Sequence, residues 1–236
     1  MALPKLNNTP KYDLVIPSTN KAVKFRPYLV KEEKILLLAM ETKDAGQALN
    51  AVLNTIVACV DDSIDANSLT TFDIEYMFVK IRSKSVGETS EIGIKCSSCD
   101  HNNKVVVDLQ SIEIAVPKAD FMVPLTDEIT LEMSYPNFNS MANNKRLTNS
   151  TSTTEQTFEM IMSVMKAIHT DEERIELKDV SHKEVEEFIE SMTGDQLQKI
   201  RAFVDTIPKM THDVHFNCVS CSHANTYTIE GMQNFF

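Results

Sequence analysis

Glycine is scarce in this chain: there are five in 236 residues, at Gly46, Gly87, Gly93, Gly194 and Gly231, never clustered. Neither a Walker-type loop nor a GxGxxG fingerprint can therefore be written, which removes phosphate cradling as the organising chemistry. Basic residues are outnumbered, 23 against 34 acidic, for a formal net charge of −11. A surface of that sign repels a polyanion, so nucleic acid is a poor default partner. Long apolar runs are missing too. The longest, Ile35–Met40, is far short of the roughly 20 residues that a membrane helix needs. The first ten residues hold no apolar signal core, and the expectation is a chain made and kept in a reducing cytoplasm, where disulfides do not persist. No Gly-x-Ser-x-Gly elbow and no HExxH occur, and no active site is readable.

What is present is enough to fold: 42% of residues are hydrophobic and 24% charged, near the globular average. Alternating runs at Tyr12–Ile16 and Val23–Phe25 flank the turn-rich Pro17–Asn20 and predict a β-hairpin. Helices are expected over Val30–Glu41, whose first turn is acidic, over Ala45–Val60 and over about Thr70–Arg82. Strands are expected at Glu91–Lys95 and Lys104–Leu109, with further β-like pieces at Ser111–Val116, Phe121–Leu125 and Ile129–Tyr135. The polar stretch Asn143–Thr154 reads as a loop or linker.

Beyond it, Phe158, Ile161, Met162, Met165 and Ile168 recur at helical spacing and predict one helix over Glu155–His169. A Met-lined stripe suits either a partner groove or, more simply, core packing. Ser181-His-Lys-Glu184 is a capping box that opens another helix, which Gly194 is expected to end, and a last helix covers about Asp195–Thr206 before Pro208. The acidic run Asp171–Glu173 reads as a solvated face.

The strongest feature is a repeat. Ile94-Lys-Cys96-Ser-Ser-Cys99-Asp-His101-Asn-Asn103 and Phe216-Asn-Cys218-Val-Ser-Cys221-Ser-His223-Ala-Asn225 share the frame apolar-x-C-x-S-C-x-H-x-N, each followed by a strand. A two-residue spacer lets both sulfurs of a tight knuckle point at one ion, and two knuckles complete a tetrahedron of thiolates around zinc. The predicted ligands are Cys96, Cys99, Cys218 and Cys221. Conventional ribbons separate their pairs by about 15–20 residues, whereas 118 residues lie between Cys99 and Cys218 here. The fold must then bring the knuckles together around an inserted segment. Two separate sites using His101 and His223 as extra ligands, or no metal, stay open at this point, with both histidines more simply placed in turns. Cys59, on an apolar helix stripe, reads as a buried small hydrophobe.

Catalytic readings do not survive the same scrutiny. Zinc deaminases carry H-x-E followed by P-C-x-x-C, but Asn217 stands where the proline should be, and the Glu184 of His182-Lys-Glu184 already serves the capping box. A calcium loop at Asp61–Asp65 lacks glycine at Ala66 and glutamate at Phe72. A thioredoxin-like redox site sits between a strand and a helix, whereas strands bracket both pairs here.

The block Leu14–Glu41, LVIPSTNKAVKFRPYLVKEEKILLLAME, resembles the T-even-type bacteriophage baseplate hub family, the hub assembly catalysts or hub subunits of contractile tails. The resemblance implies a non-enzymatic assembly protein, made in the host cytoplasm during infection, that acts with other baseplate hub and tail proteins, as a virion component or as a chaperone. It carries no catalytic residue over to this chain. The reading is an α+β protein with a hairpin and helical region at 1–88, a zinc-stapled β module at 89–142 and 207–236, and an inserted helical segment at 143–206. A zinc-ribbon nucleic-acid-binding or transcription-associated module is the alternative, disfavoured by the charge. Two terminal aromatics in Met232–Phe236 suit a partner pocket or the core equally.

Overall fold

The computed structural model describes residues 9–42, 44–61, 64–142, 144, 146 and 152–231. The chain divides into two units, the first drawn from residues up to Ala115 and from Lys209 onward, the second from Val116–Pro208. The mix of helix and sheet is that of an α+β protein.

The first unit begins with the expected hairpin. Strands β1 (Tyr12–Val15) and β2 (Ala22–Phe25) pair antiparallel, and Asn20 takes a left-handed φ of 54° in the turn between them. Helices α1 (Val30–Glu41), α2 (Ala45–Cys59) and α3 (Thr71–Ser85) follow. Asp44 caps α2 by accepting from the Gln47 amide at 3.0 Å. At the start of α3, Thr70 and Asp73 form a reciprocal capping box. Asp73 is fully buried, and it also accepts from the Ser18 amide at 2.9 Å and the Ser18 hydroxyl at 2.6 Å. One carboxylate thus closes the helix and pins the hairpin turn. Asp73→Ala strands the donors of Ser18 and Thr70 and is expected to cost about 3 kcal/mol, read as a lower urea midpoint with an unchanged slope.

Strands β3 (Thr89–Lys95) and β4 (Asn102–Asp108) form one hairpin, and β9 (Thr211–Asn217) and β10 (Ala224–Glu230) another, each with seven paired positions. Alternate side chains turn inward, as a period of two requires. Val79, Ile94, Val105, Val107, Leu109 and Ile112 from one stretch of chain pack with Met210, Val214 and Ile229 from the other.

In the second unit, β5 (Met122–Pro124), β6 (Thr130–Met133), β7 (Met165–His169) and β8 (Arg174–Glu176) make a four-stranded antiparallel sheet in that order. With it go α4 (Phe138–Ala142), α5 (Thr153–Val164), α6 (His182–Glu190) and α7 (Gly194–Asp205). Their shared core includes Leu131, Met133, Ile161, Val164, Ile189, Ile200 and Phe203.

Several expectations are corrected here. The helix read over Glu155–His169 stops at Val164, and its last five residues are the inner strand β7. Met165, Ala167 and Ile168 are buried in this strand, so the apolar spacing of the helix continued by coincidence into a strand whose partners lie elsewhere in sequence. Gly194 does not end a helix: it is the first residue of α7, which Thr193 and Gln196 open with their own capping box. Ser111–Val116 forms no strand. The boundary at residue 143 also moves. β6 hydrogen-bonds to β7, so the β pieces at 122–133 belong with the insert, which is a sheet-and-helix unit spanning Val116–Pro208. Most of Asn143–Thr154, and all of Met232–Phe236, lie outside the described residues.

On the sheet, Glu132 accepts from Lys166 at 2.7 Å, from His169 at 2.8 Å and from Arg174 at 2.8 Å, and Arg174 also pairs with Glu176. Lys166, His169 and Arg174 hold the Glu132 carboxyl down at about 2. A carboxylate depressed by folding contributes stability above its ordinary value near 4.5 and loses it as pH falls toward 2. Water screens this network, so Glu132→Gln is expected to cost about 1 kcal/mol at pH 7. In thermal melts across pH, the gap between wild type and variant should close below about pH 3.

Candidate metal centre

The two knuckles are built alike. In the first, the Cys96 amide donates to the His101 carbonyl at 2.9 Å and the Asp100 amide to the Cys96 carbonyl at 3.0 Å. In the second, the Cys218 amide donates to the His223 carbonyl at 2.9 Å and the Ser222 amide to the Cys218 carbonyl at 2.9 Å. Asp100 and Ser222, one residue past the second cysteine of each pair, have φ of 58° and 59°. This left-handed step reverses the chain within the knuckle and sends it back into β4 or β10. The Ser98 amide points at Cys96 Sγ and the Ser220 amide at Cys218 Sγ, each at 3.4 Å.

All four sulfurs lie within 4.8 Å of one another. The short approaches run between knuckles: Cys96 to Cys221 at 3.7 Å and Cys99 to Cys218 at 3.6 Å. A zinc ion with four bonds of about 2.3 Å sets its sulfurs about 3.8 Å apart, so the spacing fits a single ion. Cys96 and Cys218 are buried, Cys99 and Cys221 exposed. Each knuckle thus gives one inner and one outer sulfur.

Burial opposes ionisation of Cys96, but the amides of Ser98 and Cys99, with Asn225 and Cys221, bring its thiol down to about 6. The His101 amide favours a Cys99 thiolate, yet Cys221, burial and Cys218 push that thiol up to about 12. Four sulfurs this close cannot all carry charge unaided, and a divalent cation supplies the missing counter-charge. A closed set of four thiolates has no open position for substrate or water, which makes such a site structural rather than catalytic.

Two residues of the repeated frame have a role that the sequence did not reveal. Asn103 donates to the carbonyl of His101 in its own knuckle at 2.9 Å and accepts from the Val219 amide of the other at 3.0 Å. Asn225 donates to the His223 carbonyl at 2.8 Å and accepts from the Ser97 amide at 2.9 Å and the Ser97 hydroxyl at 3.0 Å. Both are buried. The exchange is reciprocal: each knuckle reaches across with one carboxamide. Asn225 alone adds a donor to a sulfur, Cys96 Sγ at 3.5 Å. The shared Asn at the end of the motif is the signal from which this clasp could have been guessed.

The remaining candidates sit elsewhere. The side chains of His101 and His223 are exposed and are not part of the four-sulfur cluster; their backbone carbonyls shape the turns. Cys59 is buried, and burial pushes its thiol up to about 11, as expected of a packing residue. Glu184 accepts from the Ser181 amide and hydroxyl at the start of α6, and His182 bonds Glu159 at 2.9 Å. Neither joins a cysteine.

A family model described as T4 bacteriophage base plate protein matches residues 9–236, a span that contains both knuckles. The baseplate hub assembly protein gp26 of Enterobacteria phage T4 is 24% identical to the chain over 227 residues, 96% of this chain and 97% of that protein. No solved structure matches the chain.

Proposed function

The chain belongs to the T4 bacteriophage base plate protein family, and from that premise we propose that it is a structural or assembly protein of a contractile-tail baseplate hub, stapled by one structural zinc. It acts without catalysis, in the host cytoplasm while tails assemble, and its partners are other baseplate hub and tail proteins. The resemblance of Leu14–Glu41 and the end-to-end alignment with a hub assembly protein support the assembly role. The observation that carries the zinc is the convergence of Cys96, Cys99, Cys218 and Cys221 within 4.8 Å, two knuckles held at the reach of a single ion although 118 residues separate them in sequence. Zinc suits the set because it accepts four thiolates without redox chemistry, and its binding free energy is then folding free energy.

The assembly role is tested by deleting the gene from the phage that carries it and imaging lysates by electron microscopy. Loss of complete baseplates, restored by the wild-type gene in trans, is expected. Normal baseplates without the protein would contradict the reading.

A further inference from the structure

Helix α1 exposes four large aliphatic side chains, set among Lys31, Lys34 and Glu41, on the side that its own unit leaves uncovered. Only Glu32 and Leu36 of its 12 residues are buried, whereas Val30 is 78% exposed, Ile35 52%, Leu37 57% and Leu38 52%. Val30, Lys34, Leu37 and Glu41 follow one another at i, i+4, i+7 and i+11 along a single stripe, with Leu38 and Lys31 to one side of it and Ile35 beyond them. Isolated apolar side chains are ordinary on a protein surface, but four large aliphatics exposed together on one short helix are of the kind that marks an interaction site.

The charges on this face select its occupant. Both lysines, Lys31 and Lys34, lie in the first half of the helix, and Glu41 is its last residue. A second α1 crossing antiparallel sets the Glu41 of each copy beside the lysines of the other, twice over, while the aliphatic stripes interdigitate between them. A parallel crossing would put lysine against lysine and align the two helix dipoles unfavourably. Lys31 already bonds Glu32 at 3.3 Å, but among the described residues neither Lys34 nor Glu41 has an ion-pair partner in its own chain. The face is thus complementary to itself when turned about a two-fold axis. We propose that α1 is a homodimerisation surface, through which two copies of this chain associate in an isologous, antiparallel α1–α1 contact that closes at two. A helix of this length is only about 18 Å long. The contact is therefore smaller than that of a permanent dimer, and dissociation in the range of about 1–50 μM is expected.

Sedimentation equilibrium of the full zinc-loaded chain, from about 1 to 200 μM, tests this. Wild type should move reversibly from monomer to dimer. Leu37→Glu with Leu38→Glu should raise the dissociation constant at least tenfold while leaving the circular dichroism and melting temperature unchanged, because both side chains are exposed. Lys34→Glu and Glu41→Lys should each weaken the dimer about threefold to tenfold, the size of a lost or reversed exposed ion pair. Combined in one chain they should restore it, since the pairs re-form with reversed polarity. A wild type that stays monomeric throughout would overturn the proposal. So would a dimer indifferent to Leu37 and Leu38, or charge reversals whose combination fails to rescue.

Discussion

Treatment with a strong zinc chelator is expected to release the two knuckle hairpins while the Val116–Pro208 unit stays folded. The apolar core under the hairpins draws on the first unit, from Val79 to Ile112 and from Met210 to Ile229. The core of the insert runs from Val123 to Phe203, with no residue common to both. Structural zinc in small fingers binds with about 10–16 kcal/mol; here an apolar core shares the task, so removal should cost the hairpins on the order of 5 kcal/mol. Without the ion, four sulfurs within 4.8 Å repel one another as they ionise or stay protonated and lose their common ligand. Amide exchange in β3, β4, β9 and β10 should quicken at least a hundredfold, as a loss of that size allows, and exchange in β6 and β7 should hardly change. Uniform acceleration across both units, or none, would argue against a local staple.

Replacing the asparagine clasp should have the next largest effect. Asn225→Leu leaves the Ser97 amide without its acceptor, takes from the His223 carbonyl one of its two donors, the Cys218 amide remaining, and removes the donor to Cys96 Sγ. An amide left without its acceptor in such a part-buried contact costs about 1–3 kcal/mol, and the loss of residues that orient metal ligands typically weakens binding 10- to 100-fold. Asn103→Leu frees the Val219 amide and takes from the His101 carbonyl one of its two donors, the Cys96 amide remaining, but touches no sulfur. Both variants should lose stability, about 3 kcal/mol for Asn225 and somewhat less for Asn103. Only Asn225→Leu should shift the sulfur-to-metal charge-transfer bands of the cobalt-substituted protein, because only it bonds a ligand atom. Equal spectra for the two variants would show that the donor to Cys96 is inconsequential.

The parts of the fold that were legible in the sequence are those specified locally. The helix over Val30–Glu41 was read with its observed ends, and the capping box of Ser181 and Glu184 is formed. The knuckles were legible for a different reason: the same frame occurs twice, so spacing, turn and following strand could be checked against each other. What failed depends on partners distant in sequence. Met165–His169 is a strand because β6 and β8 flank it, and nothing within those five residues announces this. Gly194 misled because glycine commonly ends helices, while the Thr193 and Gln196 cap that opens α7 lay on either side of it. The asparagines were visible as letters of the repeat, but a hydrogen bond from one knuckle to the other has no local signature.

The most direct test of the central claim is the mass of the purified protein under non-denaturing conditions, together with a Cys218→Ser/Cys221→Ser variant. One zinc per chain in the wild type and none in the variant is the result that a single site joining both knuckles predicts. Two zincs with one surviving in the variant, iron in place of zinc, or no metal beside five reactive thiols would contradict it.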